Sequence, residues 1–322
     1  MLVYWVHLLN GKTMQNKIWS STFFIIFLII LAACQPSPTP TATPQAAQPE
    51  GRKLIVGDIS DEVAETITGT QPLADYLAAQ LGEFGITGAE VKIAPDLDTM
   101  IQWVSNGQVD IYFDSPYPAL VIRDVTGAQP ILRRLKYGVP AYHSVFFVRN
   151  DSDIKTLDDL QGMVVAFEEP FSTSGYMLPL AYLIQQGFDP VEAASPDAIV
   201  PPEKIGYTFS TADNTTIQWV VSEKAPAGVI DNITLQRLPE ATQKELRVIA
   251  ETEDVPRQVV LLRPNIDPAL AAAIKTALLN MDEAEEGEQA LEIFLTTEFD
   301  EFPEGHEVAL AKMQELFEFV NN

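Results

Sequence analysis

The sequence predicts an α/β fold of two similar lobes, each a mostly parallel sheet flanked by helices, and three observations carry that expectation. Short apolar strand patterns alternate with helical ones, the rhythm of βαβ units. The stretch Thr99-Met100-Ile101-Gln102-Trp103-Val104, followed by a strand ending Tyr112-Phe113-Asp114, returns 116 residues later. Its counterpart is Thr215-Thr216-Ile217-Gln218-Trp219-Val220 with a strand ending Val229-Ile230-Asp231. That spacing is far too long for a solenoid period and suits two lobes of one design. Apolar runs at 144–148 and 258–262 mark a crossing into the second lobe and a return. Two crossings imply a hinge, and a hinge implies a cleft that closes on something.

Composition removes several alternatives. The 322 residues carry 20 Lys+Arg against 45 Asp+Glu, a formal charge of -25, and a surface that acidic repels a nucleic-acid backbone. One Cys excludes an internal disulfide and a Cys-based zinc cluster. With 47% hydrophobic residues the chain can fill a core, so global disorder is out.

The elements follow in order. Phe23 to Ala33 is an apolar run too short to span a bilayer, with Lys17 before it, as in the h-region of a secretory signal. It ends Leu31-Ala32-Ala33-Cys34, which resembles the bacterial lipobox, so residues 1–33 read as a signal peptide and Cys34 as the lipidated residue. Met14 fits a compact signal better than Met1 and is read as the true start. Loss of 1–33 leaves 18 basic and 45 acidic residues, a formal charge of -27. Residues 34–52, rich in Pro and Thr, read as an extended tether to a membrane.

The folded part opens with a strand at Lys53–Gly57. A helix follows at Gln71–Leu77, carrying Leu73, Leu77 and Leu81 on one face. Then come a strand at Glu90–Ala94, a helix at Asp98–Ser105 and a strand at Val109–Phe113. Residues 53–145 with 250–322 are assigned to lobe one and 146–249 to lobe two. Near the end, Asp267 caps a helix with Pro268 at its first position, and Leu270, Ile274, Leu278 and Met281 form its stripe.

The stretch with most chemistry is Val164-Val165-Ala166-Phe167-Glu168-Glu169-Pro170-Phe171-Ser172-Thr173-Ser174-Gly175-Tyr176. A buried strand runs into a turn, and three hydroxyl residues open an apolar helix. Such hydroxyls can be simple caps. With the free amides and the helix dipole they also make a seat for a tetrahedral oxyanion, with no lysine required. No Gly-x-Ser-x-Gly elbow, metal-spaced His pair or lysine-bearing phosphate loop accompanies them, so catalysis is not expected.

Over residues 53–305 the sequence resembles the phosphonate/phosphite/phosphate substrate-binding proteins of ABC transporters, type II periplasmic binding proteins. The carriers are Gln71-Pro72-Leu73-Ala74-Asp75-Tyr76-Leu77, Val109-Asp110-Ile111, Tyr142-His143-Ser144-Val145, Leu157-Asp158-Asp159-Leu160-Gln161-Gly162 and, above all, Ser172-Thr173-Ser174-Gly175-Tyr176. The resemblance implies a clamshell fold and a small phosphorus oxyanion as ligand. It also implies a membrane permease as partner, a monomer, no nucleic acid, and neither metal nor cofactor. It gives Ser172, Thr173 and Ser174 the grip on the oxyanion, helped by the amides of Ser174 and Gly175, and places Ser60, Ser115 and Tyr117 as further donors.

Two departures stand out. Asp114-Ser115-Pro116 replaces the family's usual Leu-Gly-Pro, and Asp213-Asn214-Thr215 stands where many members place a His. His143 reads as structural. Asp58, Asp114, Glu168, Glu169, Asp213 and Asp231 fall at expected cleft edges, with no Lys or Arg among the expected contacts. That pattern allows a ligand with its own positive group, such as an aminoalkylphosphonate, whose ammonium Asp231 or Asp114 would hold. A sensor reporting to a membrane kinase, or a receptor for an organosulfonate or vitamin, would use the same fold.

Overall fold

The computed structural model describes residues 51–321. The signal, Cys34 and nearly all of the tether lie outside the described residues.

The first sheet begins with β1 (Arg52–Ile59), whose interior residues Leu54 and Val56 are fully buried. Helix α1 (Val63–Gln80) crosses to β2 (Ile86–Ala94), and α2 (Leu97–Ser105) leads to β3 (Ile111–Asp114). Helix α1 starts eight residues before the sequence pattern and holds Pro72 in its interior. The proline removes one helical hydrogen bond. The carbonyl it frees belongs to Thr68, an exposed residue. Asp96 caps α2 by accepting from the Thr99 amide at 2.7 Å. Helix α3 (Pro116–Thr126) then precedes β4 (Gln129–Lys136).

The chain passes through β5 (Ala141–Tyr142) into the second sheet. This holds β6 (Ser144–Arg149), β7 (Val164–Phe167), β8 (Pro190–Glu192), β9 (Ile205–Phe209), β10 (Gly228–Asp231) and β11 (Leu246–Glu251). Its helices are α4 (Leu178–Gln185), α5 (Asp213–Val221), α6 (Asn232–Arg237) and α7 (Glu240–Glu245). Strand β12 (Val255–Pro256) pairs antiparallel with β5 and brings the chain back. The first sheet is completed by β13 (Val259–Leu262) and β14 (Thr296–Asp300), with helices α8 (Pro268–Leu279), α9 (Glu285–Ile293) and α10 (His306–Asn321).

The strand orders are β14-β4-β13-β3-β1-β2 and β11-β6-β10-β7-β9-β8. In each sheet a parallel half is continued by antiparallel neighbours, because β13 and β6 enter from the hinge and run away from the cleft. Ser144, Val145, Ala250 and Glu251, assigned from sequence to lobe one, pair within the second sheet. The actual crossing strands are only two residues each and leave no periodic mark. The internal match is structural: α2 and α5 are both nine residues long, and β3 and β10 each lie between one parallel and one antiparallel neighbour.

Asp110 fastens the base of the first lobe. Its buried carboxylate accepts from Arg52 Nη1 at 2.7 Å, Arg263 Nε at 2.9 Å and the Ile55 amide at 3.0 Å. Behind the cleft, one apolar cluster joins α3 and α10 to Met177, Leu178 and Ala181 of the second lobe. None of the described helices is long and apolar enough to cross a membrane.

Candidate functional site

The carboxyl ends of the central strands of both sheets point at one cavity of about 250 Å³. Ligands of open α/β sheets bind at such ends. The volume lies below the ~300–1,000 Å³ of pockets for drug-sized ligands, so the site suits a small molecule. Asp58 and Ile59 enter from the end of β1, Asp114 and Ser115 from β3, Glu168 and Glu169 from just beyond β7, and Asp231 from β10.

The Ser172 turn is built as a cap. Ser172 Oγ accepts from the Gly175 amide at 2.9 Å and donates to Glu168 Oε2 at 2.7 Å. The Met177 amide reaches back to the Ser172 carbonyl at 3.0 Å, a widened i to i−5 turn that feeds α4. Gly175 is required by close approach: a Cβ there would stand 2.3 Å from Glu168 Cβ and 2.9 Å from Ser172 Oγ. The Ser174 carbonyl accepts from Ser144 Oγ at 2.7 Å.

Three cations share the cavity, contrary to the sequence expectation of none: Arg134, Lys136 and Arg257. Arg134 and Lys136 alternate along β4 and so point to the same side of the sheet. Arg257 follows the hinge strand β12, a position that no periodicity marks. Arg134 is fully engaged, donating to Thr296 Oγ1 at 2.7 Å, Gln258 Oε1 at 2.6 Å and the Phe294 carbonyl, over whose ring it lies. Burial lowers it to about 9. Burial also brings Lys136 down to about 8, with Arg134 and Arg257 adding to the effect.

Six carboxylates face these three cations. Burial raises Asp58 to about 7, reinforced by Asp114. It raises Glu169 to about 7 as well, with Asp61, Asp114 and Asp213 adding repulsion. Glu168 is pushed up first by burial and then by Glu169 and Asp231, and Asp213 first by burial and then by Glu168 and Asp231. Asp114 is raised by burial even though it accepts from Tyr112 and Ser115. Burial pushes the Tyr142 hydroxyl up to about 12. Among the described residues no three His, Cys, Asp or Glu side chains are grouped to hold a metal ion.

Of the residues expected from sequence, Ser172, Ser174, Ser115, Asp213 and Asp231 line the cavity together. Thr173, Gly175, Ser60 and Tyr117 do not. Thr173 is completely buried, and its Oγ1 accepts from the Tyr117 amide at 2.8 Å, a tie between the lobes. Ser60 accepts from the Glu62 amide at 3.0 Å and from Thr66 Oγ1 at 2.8 Å, holding the entry to α1. The Tyr117 ring packs against Tyr176 and Phe317. Asp231 caps α6 by accepting from the Ile233 amide at 2.9 Å and the Thr234 amide at 3.0 Å, and Asp114 accepts from the Ser115 amide at 2.6 Å. Both are thereby committed to the fold before any ligand arrives. His143 lies at the hinge, its Nδ1 2.7 Å from Asp254. The signal that sequence reasoning passed over was the run Arg133-Arg134-Leu135-Lys136, conspicuous in so acidic a chain.

A family model described as the periplasmic phosphonate-binding component of ABC transporters matches residues 57–304. The phosphate-import protein PhnD of Mycolicibacterium smegmatis is 32% identical over 167 residues, a match spanning 49% of this chain and 49% of that one. The phosphonates-binding periplasmic protein of Escherichia coli is 22% identical over 88% of this chain and 78% of its own length. Among solved structures, a Xanthomonas citri protein in its ATP-bound form superposes with a TM-score of 0.77 at 28% identity. That match covers 84% of this chain and 98% of the other.

Proposed function

The chain belongs to the family of periplasmic phosphonate-binding proteins of ABC transporters, and on that premise we propose that it captures a small phosphorus oxyanion bearing its own positive group and delivers it to a membrane permease. The fold is the two-lobed clamshell of type II periplasmic binding proteins, and the family binds its substrate for transport rather than transforming it. Its members work outside the cytoplasm. The observation that carries the ligand reading is the cavity wall, six carboxylates against three cations. A purely anionic ligand meets net repulsion there, whereas a zwitterion finds both signs within one small space. The phosphorus group is expected to be held by the polar donors that line the cavity. The ammonium falls to Glu168, Glu169 and Asp213, whose oxygens are less committed than those of Asp231 and Asp114.

Calorimetric titration of the protein, unfolded and refolded to strip carried ligand, tests this with phosphate, phosphite, methylphosphonate, 2-aminoethylphosphonate, ATP and sulfate. Binding of the aminophosphonate at least about tenfold tighter than methylphosphonate is the expected result, a difference of ~1.4 kcal/mol. Preference for an amine-free anion, or no binding at all, overturns it. The lipid on Cys34 is proposed as the membrane anchor. Cys34→Ser should then move the protein from the membrane fraction to the soluble one, and an unchanged membrane fraction would refute the anchor.

A further inference from the structure

The hydroxyl turn that invites an oxyanion is already occupied by the protein itself. Ser172 Oγ donates to Glu168 Oε2 and accepts from Gly175, so a carboxylate stands where an incoming anion would take that hydroxyl. Thr173 is sealed behind the Tyr117 amide. An anionic group brought to this turn would meet Glu168 at close range, with Glu169 and Asp213 lining the same cavity.

The cations are in the opposite condition. Among the described residues the Lys136 ammonium has no hydrogen-bond partner and no carboxylate within 4.0 Å. Even so, Asp58, Asp114, Glu168, Asp213 and Asp231 all act on it, or it on them, at longer range. Arg257 is buried, lies over the Tyr142 ring at 4.2 Å, and has Asp231 only at 3.8 Å. Its guanidinium makes no hydrogen bond among the described residues. Its Nε is the one buried side-chain nitrogen or oxygen among the described residues with no hydrogen-bond partner. A buried polar group without a partner is costly, and a guanidinium fork matches a phosphoryl group in shape and charge. Arg134 differs, since each of its three guanidinium nitrogens already donates, to Thr296, Gln258 and Phe294.

We propose that the ligand's phosphorus oxyanion sits on Lys136 and Arg257, and that its cationic group is turned toward Glu168 and Asp213 at the Ser172 turn. The polarity of the bound ligand is then the reverse of what Ser172-Thr173-Ser174-Gly175 alone implies. The inference rests on the phosphorus-zwitterion reading above and assigns its two charges to opposite walls. Selectivity follows from it: the ligand must carry both charges, at a separation that fits a cavity of about 250 Å³.

The test titrates 2-aminoethylphosphonate and methylphosphonate into the protein and into Lys136→Met, Lys136→Arg, Arg257→Gln, Ser172→Ala and Glu168→Gln, with thermal melting to establish that each variant is folded. Lys136→Met and Arg257→Gln should each weaken both compounds by about tenfold or more, as expected for losing a charged hydrogen bond. Lys136→Arg should restore most of the affinity. Ser172→Ala should weaken methylphosphonate far less than Lys136→Met does, and Glu168→Gln should weaken the aminophosphonate while sparing or strengthening methylphosphonate. Loss of binding in Ser172→Ala with Lys136→Met and Arg257→Gln unaffected overturns the reversed seat and leaves the ligand class standing. If the unaltered protein binds neither compound, the ligand class falls and the seat falls with it. Should Arg257→Gln fail to fold, Lys136→Met against Lys136→Arg decides alone.

Discussion

Gly175 has a role in the structure that its sequence context did not indicate. The sequence placed it among the anion contacts, on the strength of Ser172-Thr173-Ser174-Gly175-Tyr176. In the structure its amide serves Ser172, and its missing Cβ makes room for Glu168, 2.3 Å from where that Cβ would lie. The Glu168 amide also donates to the Gly175 carbonyl at 3.1 Å, so neither backbone can step aside freely. Gly175→Ala should therefore cost about 1–3 kcal/mol, the usual range for overpacking. It should also displace Glu168 from Ser172 and weaken ligand binding. Denaturant unfolding with a parallel titration measures both, and a variant matching the parent in midpoint and affinity would show that the contact is not tight.

At the scale of elements, legibility followed periodicity. Leu73, Leu77 and Leu81 repeat every four residues and are all fully buried, so α1 was visible; only its start was hidden, since its first turn is largely exposed. The Ser172 cap was legible because capping chemistry is local in sequence. Ser172 and Ser174 reached the cavity as expected, and Thr173 turned away from it because the lobes use its hydroxyl to hold Tyr117. The cations were not legible as site residues because what makes them so is distant: Arg134 meets Gln258, 124 residues away, and Arg257 meets Asp231 only after the chain has crossed the hinge. The alternation within Arg133-Arg134-Leu135-Lys136 did hold information. Arg133 faces away and pairs with Asp300, while Arg134 and Lys136 face the cavity. A basic pair at spacing two, ending a strand in an acidic chain, was the usable signal.

Over the whole molecule, the two lobes bring like charges together, and this makes stability depend on pH. Asp58 and Asp114 come from one lobe, and Glu168, Glu169, Asp213 and Asp231 from the other. Burial holds Asp58 and Glu169 up to about 7 and raises Glu168 and Asp213 in the same direction. Unfolded, such carboxyls titrate near ~4. Between ~4 and about 7 the folded chain therefore keeps protons that the unfolded chain has released. Stability falls as pH rises through that window and levels off above it. Exposed acids held low by local hydrogen bonds, such as Asp96 and Asp159, act only below ~4, where their stabilisation is lost, and leave the window untouched. The unliganded protein should accordingly melt higher at pH 5.5 than at pH 7.5, a comparison that also stays below the lowered value of Lys136, about 8. Replacing Asp58 by Asn and Glu169 by Gln should shrink the difference, because the groups that titrate are then absent. A ligand carrying an ammonium should shrink it too, by stabilising the ionised acids at the higher pH. Scanning calorimetry at the two pH values, with and without 2-aminoethylphosphonate, reads all three effects. A melting temperature that rises toward pH 7.5 in the unliganded parent would mean that the cleft acids stay solvated and ionised, and that the lobes do not press their charges together.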